Sequence, residues 1–145
     1  MATRSRIAIE DEKGTVRSIY SHWDGHPSHH GPILLEHFQD PAKVKNLIDL
    51  GNLSSLAPEI DAPEGHTFET PVKGVTVFYG RDRGEEKQGA KSHLDRNSFL
   101  RSDVQEYGYL FTNEGKWLFV NGHKDAYTRD FIELEEVLKV EEDSE

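Results

Sequence analysis

The segment Ser-Ile-Tyr-Ser-His-Trp-Asp-Gly-His-Pro, residues 18–27, gathers side chains that can take part in chemistry. It places His22, Trp23 and Asp24 where strand-like residues give way to a turn rich in Gly, Pro and His. An imidazole beside a carboxylate can exchange protons, and an indole ring can stack on a planar ligand. A structural interpretation competes, in which Trp23 is a core residue and Asp24 holds an Asx-type turn. The segment therefore indicates a polar small-molecule site without specifying a reaction.

Histidines are concentrated in the same segment. His22, His26, His29 and His30 with Asp24 place five potential metal ligands within nine residues. Imidazole suits zinc, nickel or copper, and His22, Asp24 and His26 are the candidate ligands. A loop rich in Gly and Pro offers no helical framework for them, however. We therefore expect solvated loop histidines and no bound metal or other cofactor.

Two pairs of arginines suggest anion binding. Arg4 and Arg6 fall on one face of a predicted strand, and Arg81 and Arg83 flank Asp82 after another strand-like run. Guanidinium groups bind phosphate oxygens through two parallel hydrogen bonds, although in an acidic chain they also serve as structural ion-pair partners. The predicted ligand-binding residues are Arg4, Arg6, His22, Trp23, Asp24, Tyr79, Arg81, Asp82 and Arg83.

Composition limits the class of protein. The chain of 145 residues fits one domain, and it has no cysteine, so neither disulfides nor thiolate chemistry is expected. No apolar run approaches the ~20 residues that cross a bilayer, which predicts a soluble protein without a membrane partner. The formal charge of −10 disfavours binding to duplex nucleic acid.

Hydrophobic periodicity and turn signals predict the elements. Two β-hairpins are expected, over residues 3–23 and 107–120, and a strand over residues 72–79. A helix should follow Asp40-Pro41 and stop at Gly51, since an N-cap acid, a first-turn proline and a terminal glycine mark its ends.

Weaker signals place the other helices. One should begin at Pro32, another at Asn97 or Ser98, and a last one after a capping box at residues 130–133. The fold class is therefore α+β: one domain over residues 1–140, mainly an antiparallel sheet of about five strands with helices on one face, followed by a frayed acidic tail over residues 141–145.

The chain also resembles a family of small, largely uncharacterised proteins of tailed bacteriophages and prophages. The distinctive segments are Met-Ala-Thr-Arg-Ser-Arg-Ile-Ala-Ile-Glu (1–10), Ser-Ile-Tyr-Ser-His-Trp-Asp-Gly (18–25) and Tyr-Gly-Arg-Asp-Arg-Gly (79–84). The resemblance implies a phage origin and the cytoplasm of an infected host, and it brings no established catalytic residues. Because phages use small proteins to sequester cyclic nucleotides of bacterial immune signalling, the resemblance suggests a nucleotide ligand.

Three functions remain open from the sequence. The first is a non-enzymatic protein that binds a small anionic ligand, and a homo-oligomer would place such a site between its subunits. The second is an acidic inhibitor or virion-associated factor directed at another protein. The third is a metal-dependent hydrolase built on His22, Asp24 and the neighbouring histidines.

Overall fold

The computed structural model describes the backbone of residues 2–143 and the side chains of residues 2–140. The strands are β1 (Ser5–Glu10), β2 (Val16–Ser21), β3 (Leu53–Ser55), β4 (Val77–Phe78), β5 (Lys91–His93), β6 (Tyr107–Phe111), β7 (Trp117–Asn121) and β8 (Ile132–Glu133). The helices are α1 (Pro27–His37), α2 (Pro41–Leu50), α3 (Tyr79–Arg83), α4 (Arg96–Arg101) and α5 (Leu134–Asp143). Of the acidic tail predicted to fray, residues 144–145 lie outside the described residues.

One mixed sheet of eight strands organises the protein, in the order β4-β3-β2-β1-β6-β7-β8, with β5 pairing with β2 beside β3. The two predicted hairpins are confirmed, because β1 pairs antiparallel with β2 and β6 with β7. The prediction of about five antiparallel strands was wrong. β1 pairs in parallel with β6, and short strands extend the sheet at both edges.

Helices cover both faces of this sheet, which corrects the prediction that they pack on one face. The larger core lies between the sheet and α1, α2 and α5, where Ile7, Ile19 and Tyr109 meet Leu34 and Leu47. The opposite face is packed by α4 and the segment after it. Its buried residues are Ala8, Val16, Phe99, Leu100, Val104, Leu110 and Val120.

Helix α2 follows its sequence signals. The Asp40 side chain accepts a hydrogen bond from the backbone N–H of Ala42, Pro41 occupies the first turn, and Gly51 ends the helix with φ of +90°. Helix α1, in contrast, begins at Pro27 rather than at Pro32, which lies inside it. Residues 27–31, which the sequence assigned to a loop rich in Gly and Pro, are therefore helical.

Three other element predictions need correction. The predicted strand over residues 72–79 is regular only at Val77–Phe78, and its last residue already belongs to α3. Asp95, not Asn97 or Ser98, caps α4. Where a capping box was expected, Ile132–Glu133 forms an edge strand on β7. None of the helices in the described part of the chain has the length and apolarity that a bilayer crossing requires.

Candidate functional site

Strands β1 and β2 bring polar groups together on the face of the sheet that α4 leaves partly open. Alternate residues of a strand share a face, so Arg6 and its antiparallel partner Tyr20 lie on the same face as Ala8. Both side chains are partly exposed, and Arg4, just before β1, is exposed. This end of the sheet carries positive charge beside an aromatic ring.

Tyr20 holds the imidazole of His22. The phenol oxygen lies 2.8 Å from Nδ1 of His22, and the edge of the neighbouring indole of Trp23 packs against that imidazole at 4.7 Å and 88°. Trp23 is 44% exposed and therefore is not the core residue that the structural interpretation expected. Asp24 adopts φ of +55°, which agrees with a turn-forming role. The segment thus presents an imidazole and an indole at the surface.

Tyr79 joins this group from a distant part of the chain. Asn52 fixes both tyrosines, because its side-chain oxygen accepts from the N–H of Tyr20 and its carbonyl accepts from the N–H of Tyr79. Burial raises the pKa of Tyr20, and the nearby Arg4 lowers it while Tyr79 raises it. Arg4 and Tyr79 therefore both act electrostatically on the Tyr20 hydroxyl.

A second exposed arginine lies beyond Tyr79. The ring of Phe68 lies 5.7 Å from that of Tyr79, and the guanidinium carbon of Arg83 lies 4.9 Å from the centre of the Phe68 ring. Arg83 is half-exposed, and its Nε lies 3.9 Å from the carboxylate of Glu85. We call this the arginine–tyrosine surface. It comprises Arg4, Tyr20, His22, Trp23, Phe68, Tyr79 and Arg83.

Arg6, which lies on the same face of the sheet as Tyr20, adds positive charge next to this surface. Its Nε donates to Oγ of Ser18 at 2.9 Å and a terminal nitrogen donates to the Ser18 carbonyl at 3.1 Å. Burial lowers the pKa of Arg6, while Asp103 raises it. Oγ of Ser18 also lies 2.7 Å from Nε2 of His93. Because Ser18 is completely buried, its hydroxyl is not exposed as a nucleophile for a substrate.

Arg81 and Asp82 have structural partners. Arg81 donates to the carbonyl oxygens of Ile60 and Thr76 and to the carboxylate of Asp82. Burial alone would raise the pKa of Asp82, but hydrogen bonds from Arg81 and from the Phe78 N–H lower it overall. Arg81 and Asp82 therefore link the long segment after β3 to α3. The four arginines that the sequence predicted to bind an anion thus differ: Arg81 has a structural role, and others remain on the surface.

The histidine segment also divides. His30 is completely buried on α1, where Nε2 lies 2.9 Å from Oγ of Ser21 and the ring packs 5.6 Å from that of Tyr109. The prediction of solvated histidines was therefore wrong for His30. Nε2 of His26 lies 3.9 Å from the Asp24 carboxylate, a distance too long for a hydrogen bond. In the part of the chain that the structure describes, no three His, Asp or Glu side chains are grouped to hold a metal ion.

Sequence reasoning missed Tyr20, Asn52 and Phe68. The pairing of Arg6 with Tyr20 across the first hairpin was a usable signal for Tyr20, since paired residues lie on the same face of the sheet. Asn52 and Phe68 reach the site through tertiary contacts that no local pattern reveals. A cavity of about 660 Å³ at the other end of the sheet is lined by none of the predicted site residues.

Comparison with known proteins identifies no relative: no protein-family model, curated protein or solved structure matches the chain. The site's chemistry must therefore be argued from its own geometry.

Proposed function

We propose that the protein is a non-enzymatic binding protein for a small anionic ligand, held on the arginine–tyrosine surface. The observation that carries this proposal is the hydrogen bond between Tyr20 and His22 on a surface where Arg4 and Tyr79 act electrostatically on the Tyr20 hydroxyl and where exposed Arg83 packs against Phe68. Four sequence-distant segments supply the cations and the rings. Such a surface combines charge for an anion with flat faces for a planar group.

The electrostatic setting favours this use of the arginines. The whole chain has a formal charge of −10, so most anions are repelled at long range. Arg4 and Arg83 are exposed, the guanidinium of Arg83 lies over the ring of Phe68, and Arg6 adds charge from its half-buried position. An anionic ligand that binds here must therefore be attracted by the local positive charge, because the net charge of the chain repels it.

The ligand class that best uses both features is a nucleotide, whose phosphate pairs with guanidinium groups and whose base stacks on a ring. A stacked base contributes ~1–3 kcal/mol, and exposed charge pairs contribute about 1 kcal/mol or less. Together these contributions amount to about 5 kcal/mol at most, so we expect dissociation constants of roughly 0.2 mM to a few mM. In a phage-infected cell, such a protein would sequester a nucleotide signal of host immunity.

Isothermal titration with a panel of linear and cyclic nucleotides at up to about 10 mM tests the proposal. Saturable heat is expected with at least one of them, and Arg4→Ala and Arg83→Ala should each weaken binding about 3- to 10-fold, in line with a loss near 1 kcal/mol. Lys116→Ala is the matched control, because Lys116 is an exposed cation at the opposite end of the sheet. Absence of heat with every nucleotide would reject the proposal.

A second candidate function rests on α5. Its first turn exposes Glu135 and Glu136 next to the exposed Glu133, while Leu134 is buried in the core. This acidic face suits an inhibitor or virion-associated factor that occupies a basic protein surface. Affinity purification from infected cells would then recover a stoichiometric protein partner, and Arg4→Ala would leave that capture unchanged.

A further inference from the structure

Strand β2 forms three hydroxyl–imidazole pairs, and one of them differs from the others. Ser18 bonds to His93 and Ser21 bonds to His30, and all four of these residues are buried. The third pair, Tyr20 with His22, is only partly buried and lies on the arginine–tyrosine surface. The first two pairs serve the core, so the third is the one that a ligand can reach.

The hydroxyl of Tyr20 can select the tautomer of His22 by donating to its Nδ1, which lies 2.8 Å away. Burial raises the pKa of Tyr20, which keeps the phenol protonated and able to donate. A phenol O–H that donates to Nδ1 leaves the single proton of a neutral imidazole on Nε2. The edge-to-face contact with Trp23 then holds the plane of the ring.

Nε2 of His22 is the remaining polar atom of this pair. Among the described residues, no hydrogen bond or ion pair involves this nitrogen. A neutral imidazole with its proton on Nε2 offers one directed donor, and Arg4 and Tyr79 act electrostatically on the Tyr20 hydroxyl to which this ring is bonded. Guanidinium and imidazole N–H groups that approach from different elements suit a tetrahedral group with several acceptor oxygens better than a flat carboxylate.

We propose that Tyr20 is a positioning residue that fixes His22 as an Nε2–H donor, and that the ligand is a phosphoryl compound with one oxygen bound by this donor and another by Arg4. This inference rests on the proposed function and deepens it. It assigns the phosphoryl group to the Arg4–His22 end of the surface. The planar part of the ligand then lies over Tyr79 and Phe68.

The tautomer is measured first, on the full chain without ligand. Long-range ¹H–¹⁵N correlation spectra at pH 8 distinguish Nε2–H from Nδ1–H imidazoles, and His22→Gln identifies the His22 signals. We expect His22 in the Nε2–H form, and Tyr20→Phe should convert it to a mixture of tautomers. Tyr127→Phe is the matched control, because Tyr127 is 84% exposed and far from this pair in sequence. A wild-type Nδ1–H form, or a Tyr20→Phe spectrum unchanged at His22, would overturn the inference.

Ligand binding is measured second, with AMP and with benzoate as a planar carboxylate probe. AMP should bind at least 10-fold more tightly than benzoate, and Tyr20→Phe should weaken AMP binding 3- to 10-fold while Tyr127→Phe does not. Equal affinity for the two probes would overturn the assignment of a phosphoryl group. If neither probe nor any nucleotide binds although His22 shows the expected tautomer, the proposed function fails while the orienting role of Tyr20 stands.

Discussion

His30 should make the folded state sensitive to mild acid. Its imidazole is completely buried, with one nitrogen 2.9 Å from Oγ of Ser21 and the other 3.0 Å from Nδ1 of His29. Burial, followed by the neighbouring His29 and His26, lowers the pKa of His30 from its usual 6.5 to about 3. A proton taken up here would place a charge in the core.

The direction of the effect follows from the two states. The unfolded chain takes up a proton as the pH falls through 6.5, but folded His30 does so only near pH 3. Stability is therefore complete above pH 6.5 and is lost as the pH falls through this window. At pH 5 the solution is roughly 1.5 pH units below the pKa of the unfolded histidine. This interval corresponds to a loss of about 2 kcal/mol in the free energy of unfolding from this residue alone.

Urea unfolding at pH 7 and pH 5 tests this estimate. The wild-type protein should lose about 3 kcal/mol between these values: about 2 from His30, and about 1 from His93, whose pKa is lowered to about 4 by burial and by Arg6 and Lys91 but whose contribution is reduced by solvent screening. His30→Gln keeps a side chain that can bond to Ser21 but cannot titrate. This variant should lose only about a third as much. An equal loss in both proteins would refute the assignment of the acid sensitivity to His30.

Two further predictions concern stability. Arg81→Ala should lower the free energy of unfolding by about 2–3 kcal/mol, since it removes the donor to Ile60 and Thr76 and leaves a buried carboxylate without its cation. The exposed Arg83→Ala is the control in the same urea experiment and should change it by less than about 0.5 kcal/mol; similar losses in both would contradict a structural role confined to Arg81. Gly122→Ala should cost about 2 kcal/mol or more, because its new methyl carbon would overlap the backbone carbonyl oxygen of Gln105. An unfolding midpoint equal to that of the wild type would show that this turn relaxes freely.

Short sequence patterns, such as helix caps and turns between strands, predicted the elements that are stabilised by residues close in sequence. Helix α2 has an N-cap, a first-turn proline and a terminal glycine, and each of them functions as the sequence indicates. The hairpins β1–β2 and β6–β7 have alternating or apolar strands joined by short polar turns. The register of each hairpin is set by residues that are close together in the sequence.

Contacts between distant segments decided the rest. The parallel pairing of β1 with β6 joins segments about a hundred residues apart, and no local pattern selects it. Helix α1 begins at Pro27 although His, Gly and Pro are weak helix formers. Its burial of His30 and Leu34, and the close approach of Gly31 to Leu138 on α5, stabilise it instead.

The candidate site was predictable only in part. Shared strand faces and the segment around His22 indicated Arg4, Arg6 and the exposed Trp23. The roles of Arg81 and Asp82 could not be separated from that of Arg83 by sequence, because the partners of Arg81 are backbone carbonyls in an irregular segment. Tertiary hydrogen bonding, rather than residue type, decides which arginine remains available.

The most direct test of the central claim is a nucleotide titration monitored by amide ¹H–¹⁵N correlation spectra of the full chain. We predict saturable shifts grouped at Arg4, Tyr20, His22 and Tyr79, with residues near Lys116 unchanged. Unchanged spectra with every nucleotide at millimolar concentration, or shifts confined to the opposite end of the sheet, would contradict a ligand site on the arginine–tyrosine surface.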